Sequence, residues 1–249
     1  VYKRQDNDEF VLLICTNRGL NSIKENFNTT NISKYDQLHC ECIKSEYPSI
    51  DSMTSLFEKY KNISIKNIVA FGGGSVIDTA KIMIYMLCAK QGNLKTILKN
   101  KISPCFQKKP YFLAIPTTAG TGSEVTQFAT VWDSKYKLKY SISHDRLKPD
   151  TAIIDAAHLI NLPKEVFFST FLDALNQCFE SFWNKNSTEK SLKYSTRGIA
   201  HAMSIMKNLS RIDNKKLALV SLYSGLSISI TKTGICHSIS YPLTSHYKI

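Results

Sequence analysis

Long apolar runs are missing from this 249-residue sequence. No stretch approaches the roughly 18 apolar residues that a membrane-spanning helix requires, so we expect no membrane partner. The first nine residues are mostly charged or polar and lead straight into a short apolar run, which is unlike a secretory signal. Apolar residues nevertheless make up 43% of the chain, enough to bury a core. These features predict a soluble protein of the cytoplasm.

Paired cysteines are missing as well. The seven cysteines lie at positions 15, 40, 42, 88, 105, 178 and 236, without the spacing of a zinc ribbon or a disulfide framework. The stretch His39-Cys40-Glu41-Cys42 could suggest a metal pair, but ordinary alternation along a strand explains it better. We therefore predict that most cysteines are small core residues.

Clustered arginine is also absent. The net charge of +12 comes from 32 Lys and Arg against 20 Asp and Glu, which admits nucleic acid, a membrane surface or anionic small molecules as partners. The basic residues are dispersed, and no aromatic side chains alternate with them as in nucleic-acid-binding segments. A solvated lysine-rich surface explains the charge best. We therefore predict no nucleic-acid partner, while an acidic small-molecule substrate stays open.

Short apolar runs alternate with helical patterns through the first part of the chain. Runs at 10–15, 65–71, 111–115 and 151–154 predict strands, whereas 51–60 and 76–89 predict helices. This alternation is typical of an α/β domain with a mostly parallel, Rossmann-like sheet. From 164 to 230 the pattern is largely helical. The sequence thus predicts an α/β domain over residues 1–157 and an all-helical domain over residues 158–249.

Three successive glycines, Gly72, Gly73 and Gly74, follow one predicted strand and precede a helix. Glycines there permit positive φ and a close approach of the backbone to a pyrophosphate. Ser75 is placed to cap the helix, and Asp78 can return a bond as in a capping box. A tight turn with a capped helix stays open as an explanation, because neither the dinucleotide fingerprint nor a P-loop fits the spacing.

A second polar loop follows the predicted strand at 111–115. It carries Thr117, Thr118, Thr121 and Ser123, whose small hydroxyl groups can bond a ribose or phosphate and leave room for a flat ring. Open α/β sheets bind ligands beyond the carboxyl ends of their strands. The two loops together therefore predict a nucleotide cofactor.

At this separation the two loops resemble those of the iron-containing (group III) alcohol dehydrogenase family, relatives of glycerol dehydrogenase and dehydroquinate synthase. Further matches follow in the family's order at 137–142 (KLKYSI), 148–155 (KPDTAIID), 161–163 (NLP) and 173–175 (DAL). The resemblance runs from about Val11 to the last residue. It implies an N-terminal NAD(P)-binding domain, a C-terminal helical domain of the dehydroquinate synthase type, and a cleft between them for metal and substrate.

The resemblance also implies an activity. Members of the family are NAD(P)-dependent oxidoreductases that act on CH–OH groups. The segments 180–188 and 237–244 look most like the branch that reduces phosphonoacetaldehyde, a small aldehyde, to 2-hydroxyethylphosphonate. We also expect a homodimer.

Carried over by position, the cofactor contacts implied by the resemblance are Asn17, Gly73, Gly74, Ser75, Asp78, Thr117, Thr118, Thr121 and Lys139. Gly73, Gly74 and Ser75 would hold the pyrophosphate, and Lys139 would lie at the ribose. Asn17 stands where many relatives have an acidic residue that binds ribose hydroxyls and repels a 2′-phosphate. Because Asn17 is neutral, the sequence permits NADP(H) as well as NAD(H).

The family's metal is held by an Asp, a His four residues later and two further His residues, and the i, i+4 spacing puts the first two on one helix face. Asp173 and His237 match this pattern. Where the pattern has its first His, this sequence has Gln177. The carbonyl oxygen of Gln177 is a weaker ligand than imidazole for Fe²⁺ or another divalent metal. The fourth ligand would follow Ile249, and the ends of the chain suggest a partial, C-terminally truncated sequence.

Two chemistries stay open at this point. A bound metal would polarise the substrate carbonyl as a Lewis acid, whereas in a metal-independent member a hydrogen-bond donor must take that role. The predicted catalytic residues are Tyr241, a proton donor where many relatives have His, and His237. A nucleotide-binding member of the family without turnover is the alternative from another class. Phe171, where the family usually has Gly, is expected to fill cleft volume or to change the helix start.

Overall fold

A computed structural model describes residues 10–26, 37–44, 47–90, 93–100, 102 and 104–247. The strands of this part of the chain are β1 (Phe10–Cys15), β2 (Leu38–Cys42), β3 (Ile65–Gly72), β4 (Tyr111–Pro116), β5 (Phe128–Asp133), β6 (Leu138–Ser143) and β7 (Thr151–Ala152). Five of them form a sheet in the order β2-β1-β3-β4-β7, with every neighbouring pair parallel. The predicted parallel α/β layer is confirmed.

Among the described residues, the helices that accompany this sheet are α1 (Asn17–Asn26), α2 (Ile50–Tyr60), α3 (Gly74–Ala89) and α4 (Leu94–Asn100). The centre of the sheet carries small or branched residues, and Ile14, Ala70 and Ala114 lie in one row across β1, β3 and β4. Helix α3 packs on this surface, with Ile77 and Ile84 buried in the same core. A run of apolar residues on both faces is what a covered parallel sheet requires.

Strands β5 and β6 form an antiparallel hairpin that packs against α3. The sequence patterns did not predict it. The backbone N–H of Trp132 in β5 donates to the carbonyl of Pro48 at 2.9 Å, which joins the hairpin to the segment before α2. The hairpin places the side chain of Lys139 at the edge of the site described below.

The rest of the described chain is helical: α5 (Lys164–Phe182), α6 (Glu189–Met206), α7 (Asn214–Thr231) and α8 (Ile235–Tyr247). No strand follows Ala152 within the described residues, as predicted, and the domain boundary at residue 157 stays a prediction. None of the helices in this part of the chain is both long and apolar enough to cross a membrane.

Phe171 lies in the core of these helices. Its side chain is buried and stacks on Phe167, with ring centroids 5.5 Å apart. Helix α5 begins at Lys164, two turns earlier. The aromatic side chain therefore fills the helical core, and the helix start is set elsewhere.

Helix α7 meets the α/β part of the molecule at two glycines. A Cβ atom built on Gly225 would lie 2.6 Å from the carbonyl oxygen of Gly122, and one built on Gly122 would lie 2.4 Å from the Cα of Gly225. Gly122 also has φ +60°, which favours glycine. The second polar loop and α7 are thus in direct backbone contact.

Candidate functional site

The order of the strands locates a binding edge. From β1 the chain passes to β2 on one side, and from β3 it passes to β4 on the other side. Ligands of open α/β sheets bind beyond the carboxyl ends of strands where the order reverses in this way. The segments that follow β1 and β3 lie at this point, and they carry Asn17 and Gly73.

The start of α3 differs from the sequence prediction. Its N-cap is Gly73, with φ −75° and ψ −173°, and no side chain caps it. Ser75 lies inside the first turn, so the predicted capping box of Ser75 and Asp78 is wrong. A helix N-terminus without a side-chain cap presents N–H groups and a positive dipole end, which suits a phosphate.

The glycines of the first loop allow the second loop to approach. A Cβ atom on Gly73 would lie 2.9 Å from Oγ1 of Thr118, and one on Gly74 would lie 2.6 Å from Oγ1 of Thr121. The N–H of Thr117 donates to the carbonyl of Gly72 at 3.0 Å. The structure therefore brings the predicted glycine and threonine contacts together in one cradle, whose small residues leave the backbone accessible.

A buried lysine that the sequence analysis missed fixes the two loops to each other. Lys81 of α3 is fully buried, and its ammonium donates to the carbonyls of Ser123 and Phe128 at 2.7 and 2.8 Å. Burial lowers the pKa of Lys81 to about 8, and Asp78 partly offsets this. Lys81 lies one turn after Asp78 on the same helix, a charge pairing at i, i+3 that could have identified it.

Asp78 lies between the loops. Its Oδ1 accepts the hydroxyl of Ser123 at 2.6 Å, and its Oδ2 accepts the N–H of Thr130 at 2.9 Å. Both carboxylate oxygens are thus bonded within the protein. Burial raises the pKa of Asp78, and Lys81 counteracts that rise. The contacts of Asp78 hold the second loop and β5 beside the start of α3.

Lys139 connects the β5–β6 hairpin to the helical part. Its ammonium lies 3.2 Å from the ring centroid of Tyr241 on α8, a cation–π contact. Burial lowers the pKa of Lys139 to about 8, while the carboxylates of Asp78 and Asp173 act in the opposite direction. Lys139 therefore interacts electrostatically with one carboxylate on α3 and one on α5.

Helices α5 and α8 bring together the three predicted metal ligands. Oδ1 of Asp173 lies 3.2 Å from Nε2 of His237. The amide nitrogen of Gln177 donates to Oδ2 of Asp173 at 2.9 Å, and its oxygen accepts the hydroxyl of Ser224 at 3.1 Å. Burial lowers the pKa of His237, but Asp173 and Glu180 outweigh that effect and raise it overall.

These residues do not fit a divalent metal site. Gln177 presents amide hydrogens to Asp173 and directs its carbonyl oxygen away. No group of three or more His, Cys, Asp or Glu side chains that could hold a metal ion occurs in residues 10–26, 37–44, 47–90, 93–100, 102 and 104–247. Of the three predicted ligands, Asp173 and His237 present metal-type donors to each other and Gln177 does not, so the proposed chemistry uses no metal.

Glu180 is a further residue of this cluster, which the sequence analysis named only within a matching segment. It lies seven residues after Asp173 on α5, so both face the same side of the helix. Burial would raise the pKa of Glu180, but the N–H groups of Gly234 and His237 and the His237 ring lower it overall. The i, i+4, i+7 spacing of Asp173, Gln177 and Glu180 is the signal that could have identified it.

The chain is similar in sequence to known alcohol dehydrogenases and reductases. A family model for iron-containing alcohol dehydrogenase matches residues 7–156. The chain is 32% identical over 203 residues to the phosphonoacetaldehyde reductase of Streptomyces viridochromogenes, covering 78% of the chain and 51% of that protein. It is 29% identical to the probable alcohol dehydrogenase EutG of Escherichia coli, covering 78% of the chain and 50% of that protein. The chain thus spans about half the length of these relatives.

Solved structures resemble the whole described fold. An iron-containing alcohol dehydrogenase from Thermotoga maritima matches with a TM-score of 0.82 and 26% identity, over 96% of the chain and 67% of that protein. The sulfoacetaldehyde reductase of Bifidobacterium kashiwanohense, in complex with NAD⁺, matches with a TM-score of 0.84 and 24% identity, over 97% and 65%. The parallel sheet followed by a helical part is the arrangement of these proteins.

Proposed function

The chain belongs to the iron-containing alcohol dehydrogenase family, and on that premise we propose that it is an NAD(P)-dependent oxidoreductase that reduces a small aldehyde. The observation that carries the proposal is the contact between Lys139 and Tyr241. It joins the β5–β6 hairpin, whose Lys139 interacts electrostatically with Asp78 of α3, to helix α8, which also carries His237. A cofactor seated on the cradle would have its reactive end at the cluster of Asp173 and His237.

The cradle fits the phosphates of a dinucleotide. The uncapped start of α3 at Gly73 and Gly74 offers N–H groups to a pyrophosphate, and Thr117, Thr118 and Thr121 add hydroxyl groups beside it. NAD(P)H, when bound, supplies the hydride. Asn17 carries no charge that would repel a 2′-phosphate, so the proposal covers both NADH and NADPH.

Protonation of the product is assigned to Tyr241 of α8. Its ring lies under the ammonium of Lys139, and the His237 ring lies 6.4 Å away, centroid to centroid. As the carbonyl oxygen gains negative charge, the Tyr241 hydroxyl can donate its proton to that oxygen. The nearby ammonium of Lys139 stabilises the negative charge that develops there, and Nε2 of His237 offers a hydrogen-bond acceptor beside the Tyr241 ring.

Phosphonoacetaldehyde is the substrate that we propose. The aldehyde, NAD(P)H and one proton would give 2-hydroxyethylphosphonate and NAD(P)⁺. The support is the 32% identity to a phosphonoacetaldehyde reductase, together with a net charge of +12, which favours encounter with an anionic substrate. We also propose cytoplasmic localisation and a homodimer.

The test is oxidation of NADH and of NADPH in the presence of phosphonoacetaldehyde, with acetaldehyde as the uncharged comparison. Each assay is run as purified, after chelation, and after addition of Fe²⁺ or Zn²⁺. The proposal expects turnover with phosphonoacetaldehyde that survives chelation. Turnover only after metal addition would contradict the metal-free chemistry, and no turnover with any aldehyde would contradict the reductase activity.

Gln177 favours a second candidate, a nucleotide-binding member of the family without turnover. Its amide stands at the position of a metal-binding His and bonds to Asp173 and Ser224. This candidate predicts that NADH fluorescence changes on binding while no aldehyde is reduced under any of the conditions above.

A further inference from the structure

Glu180 is a buried carboxylate that reaches the first turn of another helix. Its side chain on α5 has 0% exposure. One oxygen, Oε2, accepts the N–H of Gly234 at 2.9 Å, and the other, Oε1, accepts the N–H of His237 at 3.1 Å. The same Oε2 lies 2.5 Å from Nδ1 of His237. Three donors of one segment thus converge on one carboxylate.

A glycine at position 234 allows the Glu180 side chain to lie close to the backbone. A Cβ atom on Gly234 would lie 3.2 Å from Cδ of Glu180, closer than side chains normally pack. A buried carboxylate is costly unless its oxygens are hydrogen-bonded. Here both oxygens of Glu180 are bonded, and they also satisfy N–H groups at the start of α8.

The contact between Glu180 and the His237 ring also determines which ring nitrogen carries hydrogen. Both nitrogens of His237 face carboxylates, Nδ1 toward Glu180 at 2.5 Å and Nε2 toward Asp173 at 3.2 Å. In the neutral ring only one nitrogen carries hydrogen. A carboxylate oxygen can only accept, so the protonated ring donates from both nitrogens, whereas the neutral ring keeps its one hydrogen on Nδ1, where the contact to a carboxylate is shorter. The amide nitrogen of Asn176, 3.4 Å from Nδ1, is itself a donor and cannot replace Glu180.

We propose that Glu180 is a positioning residue that fixes the orientation and the tautomer of His237. In the neutral ring, with Nδ1–H donated to Glu180, the unprotonated Nε2 faces Asp173. A carboxylate on the far nitrogen sets the tautomer of a functional histidine in this manner. The role in catalysis rests on the proposed function, whereas the tautomer is a property of the protein itself.

The substitution Glu180→Gln separates positioning from capping. Glutamine keeps the shape of the side chain, and its oxygen can still accept one N–H at the start of α8. When that oxygen accepts the N–H of His237, as Oε1 does, the amide nitrogen takes the place of Oε2 beside Nδ1 and can only donate to it. The variant should therefore move the hydrogen of His237 from Nδ1 to Nε2 and leave α8 in place.

The first readout is ¹⁵N NMR of the histidine rings in the full chain, at alkaline pH where the rings are neutral, with His237→Asn assigning the signal. The wild type is expected to show hydrogen on Nδ1 and Glu180→Gln on Nε2. If the variant does not fold, the wild-type spectrum alone tests the proposal. Hydrogen on Nε2 of His237 in the wild type would overturn it.

The second readout is the reduction assay. Glu180→Gln should lower kcat by about 100-fold, at the upper end for such orienting carboxylates, with KM for NAD(P)H within about twofold. A moved hydrogen with unchanged kcat would overturn the positioning role. Glu165→Gln at the exposed start of the same helix is the matched control and should change neither readout. A wild type without turnover refutes the proposed function. The NMR spectrum still tests whether Glu180 fixes the tautomer of His237.

Discussion

At the scale of single residues, the hydroxyl group of Tyr241 carries the proposed proton transfer. Tyr241→Phe keeps the ring under the Lys139 ammonium and removes only the hydroxyl. We expect kcat for aldehyde reduction to fall by about 100-fold, the lower end for general acid catalysis, with the Kd of NADH within about twofold. Steady-state kinetics and fluorescence titration measure the two quantities.

Tyr247→Phe is the control for this substitution, since Tyr247 lies on the same helix and is 71% exposed. It should leave both quantities unchanged. If Tyr241→Phe retained the turnover of the wild type, the proton would have to come from another group.

The cysteines give a second test at this scale. Burial raises the pKa of Cys15 and Cys178 to about 12 and that of Cys88 to about 11, with Cys42 adding to the effect at Cys15. Their thiols therefore stay protonated at neutral pH, and the thiolate is the reactive form. With iodoacetamide we expect Cys105 and Cys236, which are exposed, to react at least ~100-fold faster than the buried three.

Peptide mass spectrometry follows the labelling over time, and unfolding in urea should make all positions react alike. Native labelling of Cys178 as fast as that of Cys236 would contradict the packing of α5 described above.

The grouping of Asp173, Gln177 and His237 could be predicted from the sequence. Asp173 and Gln177 share one face of α5 by their spacing, the family resemblance added His237, and the structure places the three together. The contacts of Lys81 and Glu180 could not be predicted, because each acts on a segment 42 to 57 residues away. Spacing along a helix shows which residues share a face, but it does not show what that face meets.

At the scale of elements, helices α5 and α6 touch at Gly198. A Cβ atom there would lie 2.5 Å from Sγ of Cys178 and 3.7 Å from its Cβ. Gly198→Ala should therefore destabilise the protein by about 1–3 kcal/mol through overpacking. In a Cys178→Ala background the sulfur is gone, and the same change should stabilise by up to about 1 kcal/mol, as alanine does in helices.

Urea unfolding of the four proteins of this cycle measures both values. If Gly198→Ala changed the free energy of unfolding with the same sign in both backgrounds, α5 and α6 would not meet through Gly198 and Cys178.

The elements themselves were partly predictable. The strands at 10–15, 65–71 and 111–115 and the helix at 76–89 agree closely with β1, β3, β4 and α3, because continuous apolar runs mark a covered parallel sheet. The β5–β6 hairpin was missed since its connection lacks the usual Gly or Asn. In this connection Lys137 adopts φ 53°, a left-handed conformation that a lysine in the sequence does not predict.

At the scale of the whole molecule, the backbone contact of Gly122 and Gly225 couples the helical part to the cofactor loop. The atoms nearest to a Cβ on Gly225 are the Gly122 oxygen and Cα and a methyl group of Val125, so little can yield. Gly225→Ala should lower the free energy of unfolding by about 2 kcal/mol, although alanine is otherwise favoured within a helix. It should also weaken NADH binding, because Thr121 precedes Gly122 directly.

Urea unfolding and fluorescence titration test both effects. Ser229→Ala on the same helix, where the hydroxyl donates to the carbonyl of Leu226, is the control. A stabilised Gly225→Ala protein with unchanged NADH affinity would contradict the coupling.

The hold of Glu180 on the start of α8 also bears on the order in which the chain folds. The N–H groups of Gly234 and His237 find their acceptor 54 and 57 residues earlier in the chain, on α5. A helix of 13 residues with Pro242 inside it has little stability alone. Helix α8 is therefore expected to form only after α5 is in place, so the part of the proposed site that α8 carries would assemble after α5 and be lost with it.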